Sequence, residues 1–148
     1  MVRVIANASH MSADSIISLL LSVPIGIISG FYSGLIVTRY ARFAELRNET
    51  LRIIRGIDFV DEGRQIQISN DGDVSKLVLV ASDLFFLNHM KAGEKVGELS
   101  KAISNTNYDA RAGRVGIEEY SDRYGQWQAA ARSLPANKTV VWSFWAKL

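Results

Sequence analysis

The 148-residue chain has no cysteine, two histidines and two prolines. Without cysteine there is no disulfide scaffold, no thiolate nucleophile and no Cys-ligated zinc or iron–sulfur site. His10 and His89 are too little material for an imidazole-based metal centre. Charge is scarce as well: 22% of residues are charged against 48% hydrophobic, and mean hydropathy is +0.07. That balance excludes a disordered chain. Phosphate-loop glycines are also missing, since Gly93, Gly97, Gly113 and Gly116 fit neither a Walker loop nor G-x-G-x-x-G and come after no strand signal. No Ser/His/Asp or paired-carboxylate arrangement is visible, and Glu118-Glu119 reads as a solvated face. No catalytic residue, cofactor or metal is expected.

The chain does have an uncharged run. Ser15 to Val37 (SIISLLLSVPIGIISGFYSGLIV) contains 23 residues without a charge. As a helix this stretch measures about 35 Å, enough to cross a hydrocarbon core of about 30 Å. A cleaved signal peptide has a shorter apolar region, about 7–15 residues, ending at a small-residue cleavage site; here Arg39 and Arg42 come next instead. The first 38 residues carry only Arg3 and Asp14, whereas residues 39–55 hold five arginines against two glutamates, a net of +3. The remaining 93 residues hold 11 basic and 12 acidic groups, a net of −1, so the pI near 9.0 comes from one short block. A duplex nucleic-acid binder spreads its basic residues over a folded face, and none is expected as a partner. The positive-inside rule places the N-terminus outside and the C-terminal part in the cytoplasm, with Tyr32 and Tyr40 near the inner interface.

Within the run, Ser22, Gly26, Gly30 and Gly34 recur every four residues, with Ser29 and Ser33 beside them. Small residues at that spacing let membrane helices approach closely, so these four are the expected self-association face. Pro24 near the start of the stripe can kink the helix. Residues 1–14 show no periodicity, and His10-Met11 has the look of a vector junction with Met11 as the native start, so residues 1–10 are given no role. Asn7-Ala-Ser9 and Asn48-Glu-Thr50 match the glycosylation tripeptide only as short chance patterns do.

Beyond the span, Tyr40 to Phe59 contains no proline and one glycine, Gly56. Phe43, Leu46, Thr50, Ile53, Ile57 and Val60 keep 3-4 spacing, so a basic connector helix is expected over 39–60. Its seam packs either on another copy or on the chain's own domain, and Arg42–Glu45 and Glu49–Arg52 can pair along it. Residues 61–148 form the expected cytoplasmic domain, mostly helical. Ile66 and Ile68 suggest a short strand. Asp73 or Ser75 caps a helix carrying Leu77, Val80, Leu84 and Leu87, and Gly93 and Gly97 weaken its continuation through Val96, Leu99 and Ile103. Asn105-Thr106-Asn107 reads as a turn. A last helix holds Ile117, Tyr120, Tyr124, Trp127, Ala131 and Leu134 before Pro135, and Thr139–Trp145 is a β-prone tail. The fold class is therefore mainly α: tail 1–14, membrane helix 15–38, connector helix 39–60, helical domain 61–148.

One stretch suggests a ligand. Asn105 to Arg114 supplies Asn105, Asn107, Tyr108, Arg111 and Arg114; arginine forks suit phosphate, asparagine suits adenine edges and tyrosine stacks on a base. His89, Lys91 and Lys95 join it if the two helices form a hairpin. In a symmetric assembly the patch repeats, and a symmetric polyanion would meet several copies at once. The alternative is an ordinary turn leading into a charged helical turn.

An apolar span running through SGFYSGLIVTRYARFAELRNETLRIIRGID into a compact cytoplasmic domain resembles the small membrane-anchored, cyclic-oligoadenylate-sensing effectors of type III CRISPR immunity. The resemblance lies in architecture and size. It implies a homotetramer in the bacterial inner membrane that binds a cyclic oligoadenylate and perturbs the membrane or opens a pore in antiviral defence. Competing expectations are a membrane scaffold that recruits a partner through Trp142–Trp145, and a holin-like toxin.

Overall fold

A computed structural model describes residues 13–61, 63 and 66–143. The N-terminal tail as far as residue 12, with His10-Met11 and Asn7-Ala-Ser9, and the Phe144–Trp145 end of the aromatic tail lie outside the described residues. The chain divides into two compact units, Met1–Leu35 and Ile36–Leu148, and the architecture is mainly α.

Helix α1 runs from Ala13 to Arg55 with Pro24 inside it. In the first unit Leu20, Leu21, Val23, Ile25, Ile27, Ile28 and Phe31 are exposed. The helix is long and apolar enough to cross a membrane, and none of its most apolar window is buried within the protein.

The second unit starts from the last part of α1. Phe43, Leu46, Ile53 and Ile54 are buried, and Thr50 is fully buried with its hydroxyl donating to the Leu46 carbonyl at 2.9 Å. The seam therefore packs on the chain's own domain. Outside it, Arg42–Glu45 and Arg52–Glu49 pair at 2.7 and 2.6 Å as the spacing requires. The helix stops earlier than expected. At Gly56 the N–H donates to the carbonyls of Arg52 and Ile53, and the chain turns into strand β1, Ile57–Asp61. Ile57 and Val60, expected on the helical seam, lie on this strand.

Strand β2, Ile66–Asp71, pairs antiparallel with β1, with Phe59 opposite Ile68 and an irregularity at Asp58/Phe59. Ile57 and Ile66 are buried, and Phe59 and Ile68 pack against the same core, as period-2 alternation demands. Asn70 Oδ1 accepts the Gly72 N–H at 3.0 Å, and Gly72 and Asp73 take positive φ to reverse the chain. Helix α2 spans Lys76–Phe86 and buries Leu77, Val80, Ala81 and Leu84. Ser75 is its N-cap without a side-chain bond, while Asp73 pairs with Lys76 at 2.6 Å.

After a left-handed Asn88, helix α3 runs from Met90 to Arg111 through Gly93, Gly97 and the Asn105–Asn107 segment expected as a turn. The reason is burial: Ile103, Thr106, Asn107 and Ala110 recur at 3-1-3 spacing on the face that meets the core. Helix α4, Ile117–Arg132, adds Tyr120, Trp127 and Ala131, and the Tyr120 ring meets Phe59 tilted at 4.6 Å and Trp127 edge-on at 5.8 Å between centroids. The tail expected to be β-prone is helical over α5, Lys138–Trp142, because the Asn137 side chain caps it through the Thr139 N–H and Val141 is buried.

Candidate functional site

Helix α3 separates the expected ligand residues. His89 and Lys91 stand at its N-terminal end and Asn107 to Arg111 at its C-terminal end. The 16 residues from Lys91 to Asn107 correspond to about 24 Å of helix, so one ligand patch does not contain both groups. Asn107 is buried, and its Oδ1 accepts the Tyr120 hydroxyl at 2.7 Å. Burial pushes the Tyr120 phenol up to about 12. Arg114 is engaged by Asp109 at 2.6 Å and its guanidinium lies 5.0 Å from the Tyr108 ring centroid. Asn105 and Tyr108 are exposed, and Arg111 faces Asp71 at 3.6 Å. Tyr108 and Arg111 line an open hollow of about 340 Å³ with Asn107, Ser104 and Ser75, but Asp71 and Asp73 line it too. Two carboxylates against one guanidinium make this a mixed-charge hollow, and a phosphate entering it meets opposing charge.

A second hollow, about 280 Å³, was not foreseen. Thr38, Arg39 and Arg42 of α1 line it together with Asp83, Phe86 and Leu87 of the α2 segment, His89 and Val140. Arg39 is buried, and its Nη1 donates to the carbonyls of Val140 and Ser143. These bonds hold the C-terminal segment on α1. Asn137 fastens the same segment to the α2–α3 corner: its N–H donates to His89 Nδ1 and its side-chain amide to the Asn88 carbonyl, both at 3.0 Å. An accepting Nδ1 requires the His89 proton on Nε2, so the imidazole is neutral. Burial holds its pKa below the ordinary histidine value, and the ring lies 4.7 Å from that of Phe43. His89 was expected as a ligand group; it is a buried fastening between segments.

The outer face of α2 was also missed. Val78, Leu79, Phe85 and Phe86 are exposed although apolar, as are Met90 and Trp142 elsewhere in the unit. The signal was available: KLVLVASDLFF carries Val78, Leu79, Phe85 and Phe86 in addition to its core positions Leu77, Val80, Ala81 and Leu84. Among the described residues no cluster of three or more His, Asp or Glu could hold a metal.

No family model, curated protein or solved structure matches the chain.

Proposed function

We propose that this chain is a single-span membrane protein that displays its helical domain on the cytoplasmic side and acts as a non-catalytic effector. The observation that carries this reading is the contrast within α1. Phe43, Ile53 and Ile54 are buried in a protein core, whereas Leu20 to Phe31 are as apolar and touch none. At about 25 cal/mol per Å², or about 1.5–3 kcal/mol for each large side chain, leaving these seven apolar side chains in water costs as much as a small domain's whole stability, so lipid is the solvent this segment is built for. The arginines of residues 39–55 support a cytoplasmic location for the domain on their C-terminal side, and in a bacterium the membrane is the inner one. The Ser22, Gly26, Gly30 and Gly34 stripe supports self-association, and among the described residues a Cβ at Gly26, Gly30 or Gly34 meets nothing within 4 Å. A tetramer is the assembly we favour.

The experiment is fractionation with an alkaline wash, together with fluorescent-protein and alkaline-phosphatase fusions. The expected result is a membrane pellet and a fluorescent, phosphatase-inactive C-terminus; recovery in the aqueous supernatant overturns the reading. Gly30→Ile is expected to abolish cross-linked oligomers without changing the pelleting.

For the signal that controls such an effector we propose a cyclic oligoadenylate. Support comes from the exposed Tyr108 and Asn105 on the last two turns of α3, base-stacking and base-edge groups outside the Asp71–Arg111 pair that an oligomer would repeat around its axis. Calorimetry with rings of different size tests this, and absence of heat with all of them overturns it.

A further inference from the structure

Several exposed apolar side chains are gathered around the residues that come directly after the apolar run. Phe86 and Val140 line one hollow with Thr38, Arg39 and Arg42. Arg39 holds the carbonyls of Val140 and Ser143, which bracket Trp142. Asn137 holds Asn88 and His89, which precede Met90. Phe86, Met90 and Trp142 are 67%, 50% and 62% exposed, and Tyr40 is exposed beside Arg39 in sequence. Lys91 and Lys138 are exposed next to Met90 and Asn137 in sequence; the charged groups lining the hollow with Phe86 are Arg39, Arg42, which pairs with Glu45, and Asp83.

Helix geometry sets the depth. Thr38 is the residue after Val37, and Arg42 lies four residues further, about 6 Å along a helix. The polar interfacial layer on each side of a bilayer is about 5–8 Å deep. Residues 38–42 of a helix that has just crossed the hydrocarbon core therefore occupy that layer, and groups packed on them lie at the same depth. Tryptophan and tyrosine partition to this layer, and lysine stems reach along it with the ammonium at the phosphates. Phe144, Trp145 and Lys147 come next in the sequence with the same chemistry.

We infer that Phe86, Met90 and Trp142 form a second contact with the bilayer, inserting at the headgroup–acyl boundary while Lys91 and Lys138 face anionic lipid phosphates. The inference rests on the proposed span. It commits the apolar corner to lipid; a second copy of the chain would be a different occupant.

The absence of cysteine makes the test direct. Single cysteines at Phe86, Met90, Ile28 and Ser121 carry an environment-sensitive fluorophore on the full-length protein. The protein is reconstituted in vesicles of phosphatidylethanolamine and phosphatidylglycerol with nitroxide-labelled lipids. With a nitroxide near the headgroup, positions 86 and 90 are expected to lose most of their emission and Ser121, an exposed position on α4, to keep it. Ile28 is expected to be quenched by nitroxides deep in the acyl chains. If Ile28 is quenched while both 86 and 90 are not, the span stands and the second contact is refuted. If 86 and 90 are blue-shifted but unquenched, and the shift fades on dilution into excess lipid, a second copy covers them and the inference fails. If Ile28 is not quenched either, the proposed span itself fails and this inference with it. Replacing phosphatidylglycerol by a zwitterionic lipid is expected to reduce quenching at 86 and 90 and leave Ile28 unchanged.

Discussion

Replacing Tyr120 with phenylalanine removes one oxygen from the centre of the helical domain. That oxygen donates to Asn107 Oδ1 at 2.7 Å, and both residues are buried. The ring contacts with Phe59 and Trp127 survive the change. The loss is the partner of a buried carbonyl, at a cost of about 1–3 kcal/mol. For a domain of this size the melting midpoint falls by about 4 °C per kcal/mol, so a drop of about 4–12 °C is expected. The assay is thermal melting by near-ultraviolet circular dichroism on the full-length chain in mild detergent. Asn107→Leu alone is expected to cost a similar amount, because it strands the phenol. The double variant removes donor and acceptor together and is expected to melt well above the sum of the single losses. Alkaline pH probes the same oxygen. The phenol is raised to about 12 in the fold against about 10 in the unfolded chain. Its contribution is therefore intact below pH 10 and declines from there towards pH 12, with a limiting slope of about 1.4 kcal/mol per pH unit. Tyr120→Phe should lack that part of the slope. A phenylalanine variant that melts with the wild type, or strictly additive losses in the double variant, would refute the reasoning.

Acid acts on His89. Its folded pKa lies below the ordinary value of about 6.5 because the ring is buried, so its contribution is full above pH 6.5 and declines as the pH falls below it. Urea midpoints at pH 7 and pH 5 should therefore differ more for the wild type than for His89→Gln, and equal differences would sink the claim. Gly72→Ala puts a Cβ at 2.6 Å from the Ile53 carbonyl oxygen, on a backbone with φ +69. Backbone cannot swing aside, and a loss above about 2 kcal/mol is expected by denaturant titration. Gly63→Ala has a similar φ, +80, but open space around it, and serves as the measure of conformational cost alone.

The elements legible in the sequence were those with one long period and one solvent boundary. The Ser15–Val37 run, the i,i+3 pairs Arg42–Glu45 and Glu49–Arg52, and the Tyr120–Trp127–Ala131 stripe all appear where expected. The end of the connector was illegible because Ile53, Ile57 and Val60 satisfy helical spacing while Ile57 and Phe59 satisfy alternation. Gly56 and the strand partner Ile66–Asp71 decide between them, and the partner is not local. Asn105–Asn107 looked like a turn because asparagines favour turns, but the cost of asparagine in a helix is a few tenths of a kcal/mol and the Asn107–Tyr120 bond exceeds it. The α5 segment is β-prone in isolation; a single cap and the burial of Val141 outweigh that preference. Of the site, residue types were visible and distances were not. Nothing in the letters says that His89 lies against Asn137, 48 positions away, or that α3 keeps Lys91 from Arg111.

Arg39 and the carbonyls it holds stand 101 and 104 positions apart along the chain. During synthesis the guanidinium emerges about a hundred residues before its acceptors. Until they arrive, a charge destined for burial is hydrated, and the groove that receives Val141 is unfilled. A chain paused anywhere before Val140 thus carries a basic notch at the start of its second unit, and the arrival of Val140 to Ser143 is the event that shuts it.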